Sequence, residues 1–359
     1  MEICFYFPML KRTQNNALFG DMYSSFFNAL RKNNIKVNLA KELNEISGDI
    51  LILVIGGGWE PVAAKAMNLF RGPVILYVHN AYLGFNKYFL CRWSSRILFA
   101  YNPDFAQLNF KKYKSVNIPY HHFPFASDEN IFYPLNLPKQ YDIVFIGNGN
   151  SGFGREKYIK LLIEYAKKNK LQIFLGGSGW KKYGFHYRIV EHGEQINVLY
   201  NTSKICINIH NDRQYLGEEI EMDANNRLFD LAMAQCCQIS NGEQMVLKYF
   251  EKDEVVTADD PIEWINKIDY YLKNTNDREE VALKARQRAI KDHTWNIRAK
   301  EFIDIINQYY LDYSVRSQKI NLITLFLRKS DQYLNLKYQV KEIKIIRFCL
   351  KKMGLYIQK

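Results

Sequence analysis

The sequence predicts an α/β protein made of two doubly wound parallel-sheet domains facing across a cleft, with a C-terminal helical extension. Three observations carry this. Short apolar runs alternate with amphipathic stretches along most of the 359 residues. Many of those runs end in Gly, His or Asn, and the alternation restarts after a proline-punctuated segment, 118–138. Apolar strands followed by helices belong to a parallel sheet covered on both faces. Two such series in tandem are Rossmann-like domains whose ligand lies at the carboxyl ends of the strands, in the cleft between them.

The first series reads EICFYF, an amphipathic stretch over 23–32, DILILVIGGG, PVILYVHN and RILFAYN. The second reads YDIVFIGNG, a helix over 155–168, LQIFLGGSG, KICINIH, a helix around 226–234, and CQISNG. Charged helices over 277–291 and 299–310 follow. The expected division is a first domain over 1–136, a second over 137–296, a crossover helix over 297–314 returning to the first domain, and a basic amphipathic tail over 315–359.

Composition narrows the function classes. With 48% hydrophobic and 15% aromatic residues the chain can fill two cores. No apolar run approaches the roughly 18 to 20 residues of a membrane span, and the start MEICFYFPMLKR has its apolar residues before its charges, the reverse of a secretory signal. A cytoplasmic chain is expected. The six cysteines form no C-x-x-C pair and most sit in apolar runs, as core thiols do. The net charge of +12 is unevenly spread: residues 315–359 hold eleven Lys or Arg against two acids. Such a distribution argues against nucleic acid as the partner, which would need basic residues along a folded face.

Gly147, Gly149 and Gly152 satisfy G-x-G-x-x-G directly after a strand. The acidic residue that a dinucleotide site places at the end of the next strand is missing, since that strand reads LQIFLGGSG, which argues against a dehydrogenase. Gly147 and Gly149 then fit a loop that lets backbone approach a ligand, or a plain tight turn. In DANNRLFDLAMAQCCQIS, Asp223 suits an N-cap, which puts Asn226 and Arg227 in the first turn, where free amides and the helix dipole favour phosphate. Asp230 lies three residues on and could accept bonds from ribose hydroxyls; an Arg227–Asp230 surface ion pair fits the spacing equally well.

The run INIHNDRQYLGEEIEMDANNRLFDLAMAQCCQIS, with NDREEVALKARQRAIKDHTW and NIRAKEFI after it, resembles the CgeB-like branch of GT-B glycosyltransferases. Matching positions are Asn208, Arg227 and Phe229, then His293, Thr294, Trp295 and Arg298, and the likeness extends upstream through YDIVFIGNGNSGFGRE, GGSGW and HFPFASDENIFYP. Asp230 stands where that family usually has glutamate, and Cys236-Cys237 where it has a small C-G pair.

The resemblance implies a sugar transfer from a nucleoside diphosphate sugar to a glycan, lipid-linked or protein acceptor, in bacterial surface glycan synthesis. It implies Arg227 on the diphosphate and Asp230 on the ribose, with Arg155 as a weaker phosphate candidate. In the first domain, His79 closes PVILYVHN and is the leading candidate base, with Asp104 the alternative. His121 and His122 approach the interdomain linker, where they either touch donor or stack in the hinge. No D-x-D triplet or metal-ligand spacing occurs, so neither metal nor cofactor is expected. The tail combines apolar residues at helical spacing with lysines and arginines, suited to an anionic membrane surface or to packing on the protein itself. A nucleotide-sugar-binding protein without catalysis is the alternative reading.

Overall fold

The structure, a computed structural model of the chain, describes residues 1–6, 17–55, 60–78, 94–100, 120–149, 154–185, 188, 190, 193–210 and 223–309. Strands β1 (Glu2–Tyr6), β2 (Lys36–Ala40), β3 (Ile50–Ile55), β4 (Val74–Val78), β5 (Arg96–Phe99) and β6 (Tyr120–His122) form the first sheet. Their order is β2-β1-β3-β4-β5-β6, and every pair is parallel. The central strand β4, VILYV, is buried at every position, as strands covered on both faces must be. Helices α1 (Ala17–Lys32) and α2 (Glu60–Leu69) belong to this half.

The second sheet contains β7 (Tyr141–Ile146), β8 (Ile173–Gly176), β9 (Ser203–Asn208), β10 (Gln238–Ser240) and β11 (Val256–Thr257), ordered β11-β10-β9-β7-β8 and again parallel. Alternate residues face opposite layers. Val144 and Cys206 join one core with Leu228, Phe229 and Ala289, while Ile143, Phe145, Ile205 and Ile207 join the other with Leu162 and Trp264. Helices α3 (Glu156–Lys168), α4 (Glu194–Asn201), α5 (Asn226–Met233), α6 (Glu243–Val246), α7 (Pro261–Lys273) and α8 (Thr275–Asp292) accompany the sheet. The start of α7 shows how local sequence sets an end: Asp260 accepts the amides of Ile262 and Glu263, both at 2.9 Å, and Pro261 opens the first turn.

Helix α9 (Trp295–Tyr309) leaves the second half and packs on α1. Trp295 and Phe302 enter the first core beside Phe26, with ring centroids 5.5 and 5.4 Å from it. Three strands escape the sequence reading. The strand β2 lies at a sheet edge, with only Ala40 fully buried, so its pattern is not apolar. Three residues, two of them histidines, make up β6, and β11 has only two residues.

The strand order of the second sheet reverses at β7, which lies between β8 and β9. Such a reversal opens a crevice outside the carboxyl ends of the two strands that flank it, here β7 and β9. Arg227, Arg155, Gly147 and Asn208 all border it. Among the described residues no helix is long and apolar enough to cross a membrane.

Candidate functional site

The loop after β7 is fastened to the loop after β8. The amide of Gly147 donates to Gly176 O at 2.9 Å and that of Gly149 to Ser178 O at 2.8 Å, while Asn148 Oδ1 accepts the Ser178 hydroxyl at 2.8 Å. Trp180 sits beneath, its indole N–H shared between the carbonyls of Gly147 and Gly176 at 3.1 Å each. The two predicted glycines therefore make room for the chain's own side chains. A Cβ on Gly149 would lie 2.6 Å from the Trp180 ring, and one on Gly147 would lie 2.9 Å from Arg227 Nη2.

Two arginines converge over Phe145. Arg227 lies 5.2 Å from the ring centroid and Arg155 lies 5.9 Å from it, each within cation–π range. Arg227 donates to Asn208 Oδ1 at 3.2 Å, and Arg155 to the carbonyl of Asn148 at 3.0 Å. Arg155 Nε is buried with no acceptor. Among the described residues neither guanidinium has a carboxylate within salt-bridge distance. Burial, together with repulsion from Arg227, pushes Arg155 down to about 10; burial lowers Arg227 too, against the stabilising Tyr200 hydroxyl. Two partly buried cations with no carboxylate among the described residues in ion-pair contact are electrostatically incomplete.

Helix α5 begins here, but Asp223 is not its cap. Asn225 is: its side chain accepts the Leu228 amide at 3.2 Å and donates to Asn208 Oδ1 at 2.9 Å. Asp223 is occupied elsewhere, by His122 Nε2 at 2.5 Å, the Tyr249 hydroxyl at 2.8 Å and the Ala224 amide at 2.8 Å. Burial raises the Asp223 carboxyl, but these donors outweigh it and hold the group below the usual carboxylate range. His122 thus ties the end of β6 to a residue two positions before the helix cap, through an ion-pair contact rather than by stacking in the hinge. The amides of Asn226 and Arg227 take no acceptor among the described residues and point out of the helix start.

Asp230 and Arg227 do not form the surface ion pair that the spacing allowed. Asp230 is 5% exposed, accepts the Ser127 hydroxyl at 2.8 Å and Asn226 Nδ2 at 2.6 Å, and is pushed up to about 8 by burial, against the pull of Ser127 and Arg227. Asn226, expected at the donor, turns its amide to Asp230 and keeps a buried Oδ1 with no partner. His210, beyond β9, is fully enclosed, and burial lowers it to about 3, so it is a neutral ring; its Nδ1 faces the Asn225 amide at 3.4 Å.

The closing H-T-W-x-x-R forms a joint. His293 bonds the Tyr249 carbonyl at 2.8 Å and meets Arg298 at 3.3 Å, and Trp295 fills the first core. His79 and Asp104 lie outside the described residues, as does the tail over 315–359. The reading of sequence missed Trp180, Ser127, Asn148, His210 and Tyr249; only their place in the fold brings them to the site.

Residues 155–304 match the glycosyl transferase-like family model. No curated protein matches the chain. Among solved structures, sucrose-phosphate synthase from Thermosynechococcus elongatus aligns with a TM-score of 0.61 at 11% identity, covering 87% of this chain and 100% of the other. T4 phage β-glucosyltransferase, in complex with its UDP-glucose substrate, aligns with 0.61 at 15% identity over 86% and 99% of the two chains. Anabaena HepE in complex with UDP and glucose gives 0.58 at 11% identity over 86% and 100%. The chain thus has the GT-B fold of two Rossmann-like domains, and its residues 155–304 are similar to the glycosyl transferase-like family.

Proposed function

We propose that the protein transfers a sugar from a nucleoside diphosphate sugar to a hydroxyl acceptor without a metal ion. The observation that supports this most is the Arg155–Arg227 pair. Two guanidiniums, lacking a carboxylate among the described residues, meet open helix amides at the sheet's reversal point. A diphosphate is the ligand whose charge and oxygen count such a site completes. The same groups stabilise the diphosphate as it leaves, where negative charge develops in the transition state. Domain closure over the cleft excludes water, the competing acceptor.

The general base is sought in the first domain, at His79 first and Asp104 second. The acceptor is a glycan, a lipid-linked saccharide or a protein in surface glycan synthesis. Two of the similar structures hold UDP or UDP-glucose, which makes UDP the first nucleotide to assay. Arg227→Ala should lower turnover roughly 100- to 1,000-fold, the effect of removing one transition-state donor. Measured with UDP-glucose in a folded variant, wild-type turnover would remove Arg227 from the site. Donor binding by the wild-type protein with neither transfer nor hydrolysis would favour a binding protein over an enzyme.

The basic tail, we propose further, docks on an anionic membrane and brings the cleft to lipid-linked acceptors; each Lys or Arg near such a surface contributes about 1 kcal/mol. Truncation after Tyr313 should abolish salt-sensitive binding to phosphatidylserine vesicles and leave UDP binding intact. Indifference of the full-length protein to such vesicles would refute the docking.

A further inference from the structure

The segment 120–127 connects the first sheet to the second half, and it grips the stretch 223–230 at both ends. At one end His122 Nε2 meets Asp223 Oδ2 at 2.5 Å; at the other the Ser127 hydroxyl donates to Asp230 Oδ1 at 2.8 Å. Helix α5, with its phosphate-facing amides and Arg227, begins between these two ties.

The ties differ in character. Ser127 is fully buried and is held on its backbone by the second joint of the protein: its amide donates to His293 O at 3.0 Å, and it accepts the Trp295 amide at 3.1 Å. That tie is sealed from water and spans the linker and crossover together. His122 is different, with a side chain 34% exposed against 1% for its partner Asp223. Water can reach the histidine, so this tie can open while the other holds.

Asp223 is one residue from Ala224 and two from the cap Asn225, whose side chain shares Asn208 Oδ1 with Arg227. A displacement of Asp223 therefore passes along the backbone to the cap, and from there to Asn208 and to the guanidinium through two consecutive hydrogen bonds. Tyr249 stands behind the pair. Its hydroxyl donates to Asp223, and its ring packs edge-on against Phe229 of the same helix at 5.1 Å. With Tyr249 and the Ala224 amide on one oxygen, Asp223 has one direction left to take a partner, and His122 comes from the other domain.

We propose that His122 is a positioning residue of the donor site: from the last strand of the first domain it holds Asp223, and through Asp223 it sets the start of α5. Donor affinity then depends on the placement of the first domain, although His122 itself touches no donor. The inference rests on the diphosphate site proposed above.

The test uses the full chain in two measurements. Hydrogen exchange without ligand follows the bonded amides of Ala224, Asn225 and Leu228. His122→Ala should raise their exchange about tenfold, from the loss of one close contact to a carboxylate, and leave α7 and α8 unchanged. His122→Gln, whose side-chain amide can still donate to Asp223, should restore most of the protection. Calorimetric binding of UDP and GDP is the second measurement, with Arg227→Ala as the control that abolishes binding. His122→Ala should weaken binding about tenfold, and the double variant with Asp223→Asn should be no weaker than His122→Ala alone.

Unchanged exchange at Ala224, Asn225 and Leu228 in His122→Ala overturns the strap. Loosened exchange with wild-type nucleotide affinity overturns the coupling to the donor while the diphosphate site stands. If the wild-type protein binds neither nucleotide, the diphosphate reading fails and the donor role of His122 fails with it, whatever the exchange shows.

Discussion

Gly147→Ala perturbs Arg227 without touching it. The added methyl would stand 2.9 Å from Arg227 Nη2 and 3.1 Å from the Phe145 ring, both inside ordinary contact distance. The ring is fixed in the core, whereas the guanidinium is the far end of a long side chain, so the guanidinium gives way. A shift of about half an ångström stretches its bond to Asn208, already 3.2 Å, past hydrogen-bonding range. Losing a bond of a charged group costs about 1.5 to 3 kcal/mol, which corresponds to a roughly 10- to 100-fold weaker UDP affinity.

Stability should hardly change. Gly147 is not among the glycines with positive φ, so alanine is not strained there, and the about 0.4 to 1 kcal/mol it gains in the unfolded chain offsets the crowding. Gly177→Ala is the contrasting control, because at φ +100° its Cβ would lie 2.6 Å from the Gly147 carbonyl oxygen. That variant should lose thermal stability. Calorimetry with UDP, beside thermal melting of each variant, reads both effects. A folded Gly147→Ala protein with wild-type UDP affinity would refute the argument that this glycine exists to admit the Arg227 side chain.

Two further outcomes are expected. Asp230 has its carboxyl raised by burial from 3.8 to about 8 in the folded protein, so its contribution to stability is full below about pH 4 and is lost as pH rises through 8. Asp230→Asn should therefore gain melting temperature relative to wild type at pH 8 compared with pH 5; parallel pH profiles for the two proteins would show that the carboxyl titrates normally. Transfer should survive EDTA, because in the proposed site Arg155, Arg227 and helix amides would meet the diphosphate. Complete loss of activity that magnesium or manganese restores would place a metal at the site.

The βα alternation was legible because a strand buried on both faces must be apolar: β3 and β4 are so throughout, and β7 and β9 are at their central residues, Ile143–Phe145 and Ile205–Ile207. The start of α5 was legible to within two residues, since Asp, Asn and a following apolar stripe mark a helix entry. Which of the three polar residues caps it was not. Asp223 has good capping chemistry, but a partner 101 positions earlier in the chain, His122, claims it, and no local pattern contains that distance. Likewise the sequence offered Arg227 and Asp230 as a pair, and the fold separates them: one oxygen of Asp230 goes to Ser127 in the linker and the other to Asn226.

Sequence by itself thus determined the two parallel-sheet halves, the helix that starts beside the crevice, and Arg227 as its cation. Tertiary structure alone decided that Arg155 joins Arg227 over Phe145, that Gly147 and Gly149 admit Arg227 and Trp180, and that the linker grips α5 at both ends. The physical reason is range. Apolar periodicity and capping act over a few residues and are written in the local sequence, whereas the burial of a charge and the identity of its partner depend on which distant segments the sheet order brings together.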